Sequence, residues 1–239
     1  MSAVDHQRVE GRAGQIMLAA RELFLEEGWD HFSMERIAEF MECSRPLVYK
    51  YFSCKEEILL ALAIESKWRR VRFYERAALF RGRAREKMLA QGEVETFLFP
   101  RDLPVELLVA STQLRAKTSR ERQDELKVLD VRAISVGAAI VREAVSAGDL
   151  ALPGNMRPED LLFCMWASRW GAANIMRSDT PLEQAGVAHP AEAMGHALGN
   201  MLDGYGWRPL NNEWDYRATR QRAHAEVFTP EVVSEILKS

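Results

Sequence analysis

The sequence predicts an all-α protein, and three observations carry that prediction. Apolar residues recur at helical spacing along nearly the whole chain. Serine, glycine and proline punctuate the pattern at helix-length intervals. No alternating strand of useful length, internal repeat or low-complexity tract interrupts it.

Taken in order, Ile16, Ala20, Leu23 and Phe24 form a first stripe, which Gly28 stops. Ser33 caps a second helix with Met34, Ile37, Ala38 and Met41 on one face. Ser44 caps a short third helix that shares Val48 and Phe52. Ser53 opens a fourth, with Ile58, Leu59 and Leu62 inward and no strong breaker before Gly82. A fifth is expected from about Arg85 to Phe99, bent at Gly92 and ended by Pro100, and another from Pro104 to Lys117. A long helix follows from Arg120 to Ala147, closed by Gly148. Pro158 suits the first turn of a helix reaching Arg177. After a loop at 178–189, Pro190 to Tyr205 reads as helical. The tail beyond Trp207 holds two short candidates, Glu213 to Val227 and Pro230 to Lys238.

Composition narrows the function classes. The 239 residues are 47% hydrophobic and 28% charged, ordinary for a globular protein long enough to bury a sizeable core. A net charge of -3 excludes a polycation that coats nucleic acid through bulk charge, so a DNA contact needs a locally basic edge. The N-terminal MSAVDHQRVEGRAGQ lacks a signal peptide's apolar core, and no apolar run approaches a membrane span. Cys43, Cys54 and Cys164 are odd in number and lack metal-ligand spacing, so reduced thiols are expected. The five histidines, His6, His31, His189, His196 and His224, are scattered. No nucleophile motif, phosphate-binding loop or metal cluster points to an enzyme. A soluble cytoplasmic protein without cofactor or metal is expected.

Ser33 to Met41 followed by Ser44 to Phe52 has the spacing of a helix-turn-helix. No Asp or Glu occurs between Ser44 and Lys55. Val48 and Phe52 anchor the second helix, which leaves Arg45, Pro46, Leu47, Tyr49, Lys50 and Tyr51 for other surfaces. Two tyrosines beside Arg and Lys suit phosphate hydrogen bonding and base-edge contact.

The run FLEEGWDHFSMERIAEFMECSRPLVYKYFSCKEEILLAL resembles the N-terminal domain of the tetracycline-repressor (TetR) family. Phe24, Gly28, Trp29, Ser33, Ile37-Ala38, Ser44, Tyr49, Tyr51-Phe52 and Lys55-Glu56 carry the likeness. The resemblance covers the first quarter of the chain; the remainder agrees in length and helicity. It implies a DNA-binding head over residues 1–60 and a helical effector-binding and dimerisation domain over 61–239. Arg45, Pro46 and Leu47 fall at the first turn of the recognition helix. Tyr49, Lys50 and Tyr51 match its phosphate- and base-contacting positions, and Lys55 its phosphate-binding lysine, at a helix N-terminus that favours an anion. Arg45 is assigned direct readout, because a guanidinium bonds a guanine's O6 and N7 together. Ser33 and Ser44 complete the DNA-facing set.

Two departures stand out. The family's turn carries a small residue and a glycine where this chain has Met41 and Glu42, so a left-handed turn residue costs ~1 kcal/mol here. Residues 1–57 also hold seven basic side chains against eleven acidic ones, a basic contact edge on an acidic domain.

Beyond the head, Lys67 to Lys87 holds nine basic residues against Glu75 and Glu86. The solvated face of a long helix is the favoured reading, extra DNA contact or an acidic ligand the other. Phe163, Trp166 and Trp170 suit an apolar or aromatic small molecule, with Arg169 or Asn174 fixing a polar group. A core or dimer-interface helix is the equal alternative. In the family, helices matching Pro158–Arg177 and Pro190–Tyr205 pack against their symmetry mates. Ala193, Gly195, Ala197 and Gly199 would permit close approach in the second. A ligand-released homodimeric repressor on a palindromic operator is therefore expected, the alternative being a DNA-binding protein whose C-terminal domain recruits a protein partner. The tail after Trp207 covers the ligand domain or extends the dimer interface.

Overall fold

The computed structural model describes residues 11–238, with side chains throughout except at 96–101 and 238. His6 and the signal-peptide reading of the first ten residues lie outside that range. The described residues form helices and no strands. The helices are α1 (Arg12–His31), α2 (Met34–Phe40), α3 (Arg45–Tyr51), α4 (Lys55–Ala78), α5 (Ala84–Val109), α6 (Thr112–Arg115), α7 (Arg120–Ser146), α8 (Pro158–Arg177), α9 (Pro190–Gly204), α10 (Tyr216–Glu226) and α11 (Pro230–Lys238). They gather into two compact units. One is built from residues through Arg72, Glu95–Asp130 and Val233 onward; the other from Phe73–Val94 and Val131–Val232. Helices α4, α5 and α7 each supply residues to both.

In the first unit, the α1 stripe of Ile16, Ala20, Leu23 and Phe24 is buried. Phe24 meets Phe32 edge-on, with ring centroids 5.8 Å apart. The stop at Gly28 is real: its φ of 74° with ψ of -176° breaks the helical path, in a region essentially reserved for glycine.

Two expectations fail between α4 and α6. Pro100 was expected to end one helix and Pro104 to begin the next, yet α5 runs without a break from Ala84 to Val109. The basic run was expected on a solvated face, yet Arg69, Arg70 and Arg85 are at most 8% exposed. Both failures share a cause in α4 and α5. Arg69 donates to Asp102 at 3.0 Å and lies 3.8 Å from Glu65, and Arg70 forms a two-pronged bond to Glu106 at 3.0 Å. Glu65 in turn accepts from buried Arg21 of α1 at 3.0 Å. An interior proline costs ~3 kcal/mol. Burying Leu103, Val105 and Val109 while pairing two otherwise stranded guanidiniums outweighs it.

The second unit has its own core of Met88, Ile140, Val141, Ala144, Leu150, Leu161, Leu202 and Trp207. Residues 208–232 of the tail belong to this unit's packing. Trp207 is fully buried, and its carbonyl accepts from Arg85. Thr219 donates to buried Glu86 at 3.1 Å, Arg220 pairs with Glu93 at 3.2 Å, and Phe228 packs edge-on against Phe73. Gly199, one of the small residues expected to permit close helix approach, lies against Asn211: a Cβ there would sit 2.8 Å from its amide nitrogen.

Burial pushes the Glu106 carboxyl upward, but Arg70, Lys67 and the Ser66 hydroxyl outweigh it and hold the pKa below the usual value. A depressed carboxylate stabilises the fold above its unfolded pKa of ~4.3 and loses that contribution as pH falls towards the folded value. Glu106→Ala is therefore expected to cost about 3 kcal/mol at pH 7 and to flatten the acid limb of the stability curve. Urea unfolding at a series of pH values checks both.

Candidate nucleic-acid interface

Helices α1, α2 and α3 make a compact head in which α2 packs against both neighbours. Ser33 caps α2 as its sequence position requires, accepting from the Arg36 N–H at 3.2 Å. Ser44 holds the cap position of α3 through its extended backbone, while its hydroxyl makes no capping bond. Between the helices the chain reverses through Glu42 at φ 50°, which lets the Cys43 N–H reach the Ala38 carbonyl at 2.9 Å. That 6→1 bond satisfies an end carbonyl of α2 and fixes the angle between the two helices.

On α3, Val48 and Phe52 are buried at 0% and 3% exposure, the anchors expected of them. Arg45, Pro46, Tyr49, Lys50 and Tyr51 are exposed, and Leu47 is half-buried. Arg45 is loosely tethered, its guanidinium 3.6 Å from Glu35 of α2. An ion pair this open contributes under ~1 kcal/mol and leaves the side chain free to reorient. The Lys50 ammonium lies 6.0 Å from the Tyr51 ring centroid.

Lys55 is more constrained than its sequence position indicates. Its ammonium donates to the Phe32 carbonyl at 2.8 Å and sits 3.7 Å above the Trp29 ring. One of three donors is therefore engaged with the α1–α2 corner. Sequence reasoning also missed Arg122 of α7, whose guanidinium lies 5.2 Å over the Phe52 ring. No local pattern joins two residues seventy positions apart.

In the second unit, Phe163 and Trp166 are 61% and 55% exposed and Trp170 is half-buried. Their rings form a row along α8, with centroids 6.1 Å and 5.9 Å apart. Arg169 leaves that row and donates to the Gly92 carbonyl of α5 at 3.3 Å. A Cβ at Gly92 would lie 2.7 Å from the guanidinium, so a larger residue there would make Arg169 shift. Asn174 bonds the Trp170 carbonyl of its own helix at 2.8 Å. The five residues expected to share a ligand thus separate into an exposed aromatic row and two polar groups engaged with backbone. Among the described residues no cluster of three metal-ligating side chains occurs, and no helix is long and apolar enough to cross a membrane.

Residues 16–62 match the model of a family described as bacterial regulatory proteins, tetR family. FasR of Mycolicibacterium smegmatis, an HTH-type transcriptional activator, is 39% identical over 51 residues, 21% of this chain and 23% of FasR. The chain thus spans about a quarter of that relative's length. Solved structures share the fold more widely. SmeT, the repressor of the Stenotrophomonas maltophilia multidrug efflux pump SmeDEF, superposes with a TM-score of 0.60 at 18% identity, covering 87% of this chain and 98% of its own. The SmeT–triclosan complex gives 0.57 at 19% identity, covering 84% and 96%. The fold and its three-helix head define a helix-turn-helix protein. Over residues 16–62 the chain is similar to the tetR family of bacterial regulatory proteins, and the fold is shared over most of its length.

At φ 50°, Glu42 occupies a conformation that glycine adopts without strain. Glu42→Gly is expected to stabilise the protein by about 0.5–1 kcal/mol, read as a higher urea midpoint with unchanged slope.

Proposed function

We propose that the chain is a homodimeric transcriptional repressor that binds a palindromic operator and is released by a small apolar or aromatic effector. Residues 1–60 form the DNA-binding domain and 61–239 the effector-binding and dimerisation domain. One observation carries the reading: on an acid-free α3, Val48 and Phe52 are buried as anchors while Arg45, Tyr49, Lys50 and Tyr51 are exposed. A short helix anchored on one face and basic and aromatic on the other fits the major groove. Arg45 reads a base, and Tyr49, Lys50 and Lys55 hold phosphates. A second copy of the chain aligns two such helices with successive grooves. The row of exposed Phe163 and Trp166 with half-buried Trp170 supports placing that copy against α8.

SmeT, of the same fold, is a repressor and has been seen with triclosan, which supports the effector reading; FasR, alike in the head, is an activator. A promoter–reporter assay separates the two signs, repression requiring that removal of the protein raise expression. The exposed α8 row also supports a second reading, recruitment of a protein partner by residues 61–239.

Selection of bound sequences from a random duplex library is the primary test. One palindromic motif is expected, and salt-sensitive background alone would refute sequence-specific binding. Arg45→Ala should cost ~1–3 kcal/mol at one base position and relax specificity there. An unchanged base preference would assign readout to another side chain. Trp166→Ala should shift sedimentation from dimer to monomer; a variant that stays dimeric removes the α8 row from the interface and turns attention to partner recruitment.

A further inference from the structure

The exit from α3 is held by a part of the chain far away in sequence. Phe52 closes the helix, its N–H bonded to the Val48 carbonyl at 3.1 Å, and its ring is buried beneath the Arg122 guanidinium. The same guanidinium bonds Glu57, a carboxylate at the start of α4 that is 4% exposed. The second oxygen of Glu57 accepts from the Ser119 N–H at the head of α7. Alongside, Lys117 pairs with Glu56 at 3.0 Å, and the Cys54 thiol donates to the Lys117 carbonyl at 3.6 Å. Residues 117–122 thus hold the turn 52–57 through a ring, two carboxylates and a thiol.

We propose that Arg122 is a positioning residue, through which the first turn of α7 sets the placement of the recognition helix. This rests on the reading of α3 as the recognition helix and adds to it a route of control. The covalent route from the head into the rest of the chain runs through α4. Arg122 supplies a second one, non-covalent and ending on the recognition helix itself. The chemistry suits a positioning role. A planar guanidinium can lie flat on a ring while its edge bonds a carboxylate, and an ammonium cannot do both in one plane. Glu57 is buried, so its charge depends on this partner; the neighbouring carboxylate Glu56 is buried too and is held by Lys117. Burial pushes the Glu57 pKa up, but the Arg122 bond and the Ser119 N–H outweigh it and keep the carboxylate charged. Displacing the first turn of α7 therefore either carries Phe52 with it or strips the ring of its cation and Glu57 of its counter-charge.

Hydrogen–deuterium exchange on the free full-length protein tests this without DNA. Exchange at residues 45–52 is expected to quicken about tenfold in Arg122→Ala and less in Arg122→Lys, with the α1 amides at wild-type rates. Arg120→Ala, which alters a 93% exposed neighbour, should leave α3 unchanged. Wild-type exchange at 45–52 in both Arg122 variants overturns the proposal. So does uniform acceleration in Arg122→Ala combined with wild-type behaviour in Arg122→Lys, the mark of a purely structural residue.

With a duplex recovered by selection, Arg122→Ala should weaken binding at unchanged base preference and unchanged slope of log K against log salt. A slope shallower by about one unit makes Arg122 a phosphate contact and overturns positioning. If no duplex is recovered, the DNA reading fails, and the exchange measurement alone decides on the clamp.

Discussion

Arg69 and Arg70 sit side by side on α4 with at most 8% of their surface exposed. A guanidinium removed from water is tolerated only when carboxylates are fixed opposite it, and much of the first unit follows from that constraint. Asp102 and Glu106 stand four residues apart on α5, one turn for each arginine, so α5 must remain helical through Pro104. Glu65 pairs with both Arg69 and Arg21 and ties α1 into the same charge lattice. The three-helix head is thereby fixed to α4 by ion pairs whose removal would strand a buried charge.

Above that foundation the head divides its labour by face. Val48 and Phe52 carry the packing of α3, so the exposed side chains need contribute little to stability. The acidic residues that dominate the head are partly neutralised within it: Glu27 and Glu39 hold Arg36, and Glu35 tethers Arg45. A basic edge survives on an acidic domain because α3 itself carries no acid.

Local signals in the sequence were read well. Ser33 and Gly28 mark the ends they were expected to mark, and Pro158 and Pro230 open α8 and α11 where first-turn prolines belong. Signals that depend on distant partners were not. The run from Lys67 to Lys87 reads as a solvated basic face because its counter-charges, Asp102, Glu106, Asp149 and Asp203 among them, lie far along the chain. Pro100 and Pro104 read as breakers because nothing local announces the carboxylates that hold the helix together around them. The aromatic spacing of Phe163, Trp166 and Trp170 fixed a shared face but not its exposure. Arg122 was invisible as a partner of Phe52 for the same reason.

The seat of Lys55 has an optical consequence. An ammonium held 3.7 Å above the Trp29 ring biases the charge redistribution of the excited indole, so the colour of its emission depends on whether that cation is docked. Trp29 lies at the corner between α1 and α2, beside the start of α4. Once the other five tryptophans are replaced, the indole at the α1–α2 corner reports the position of a single lysine with no added label.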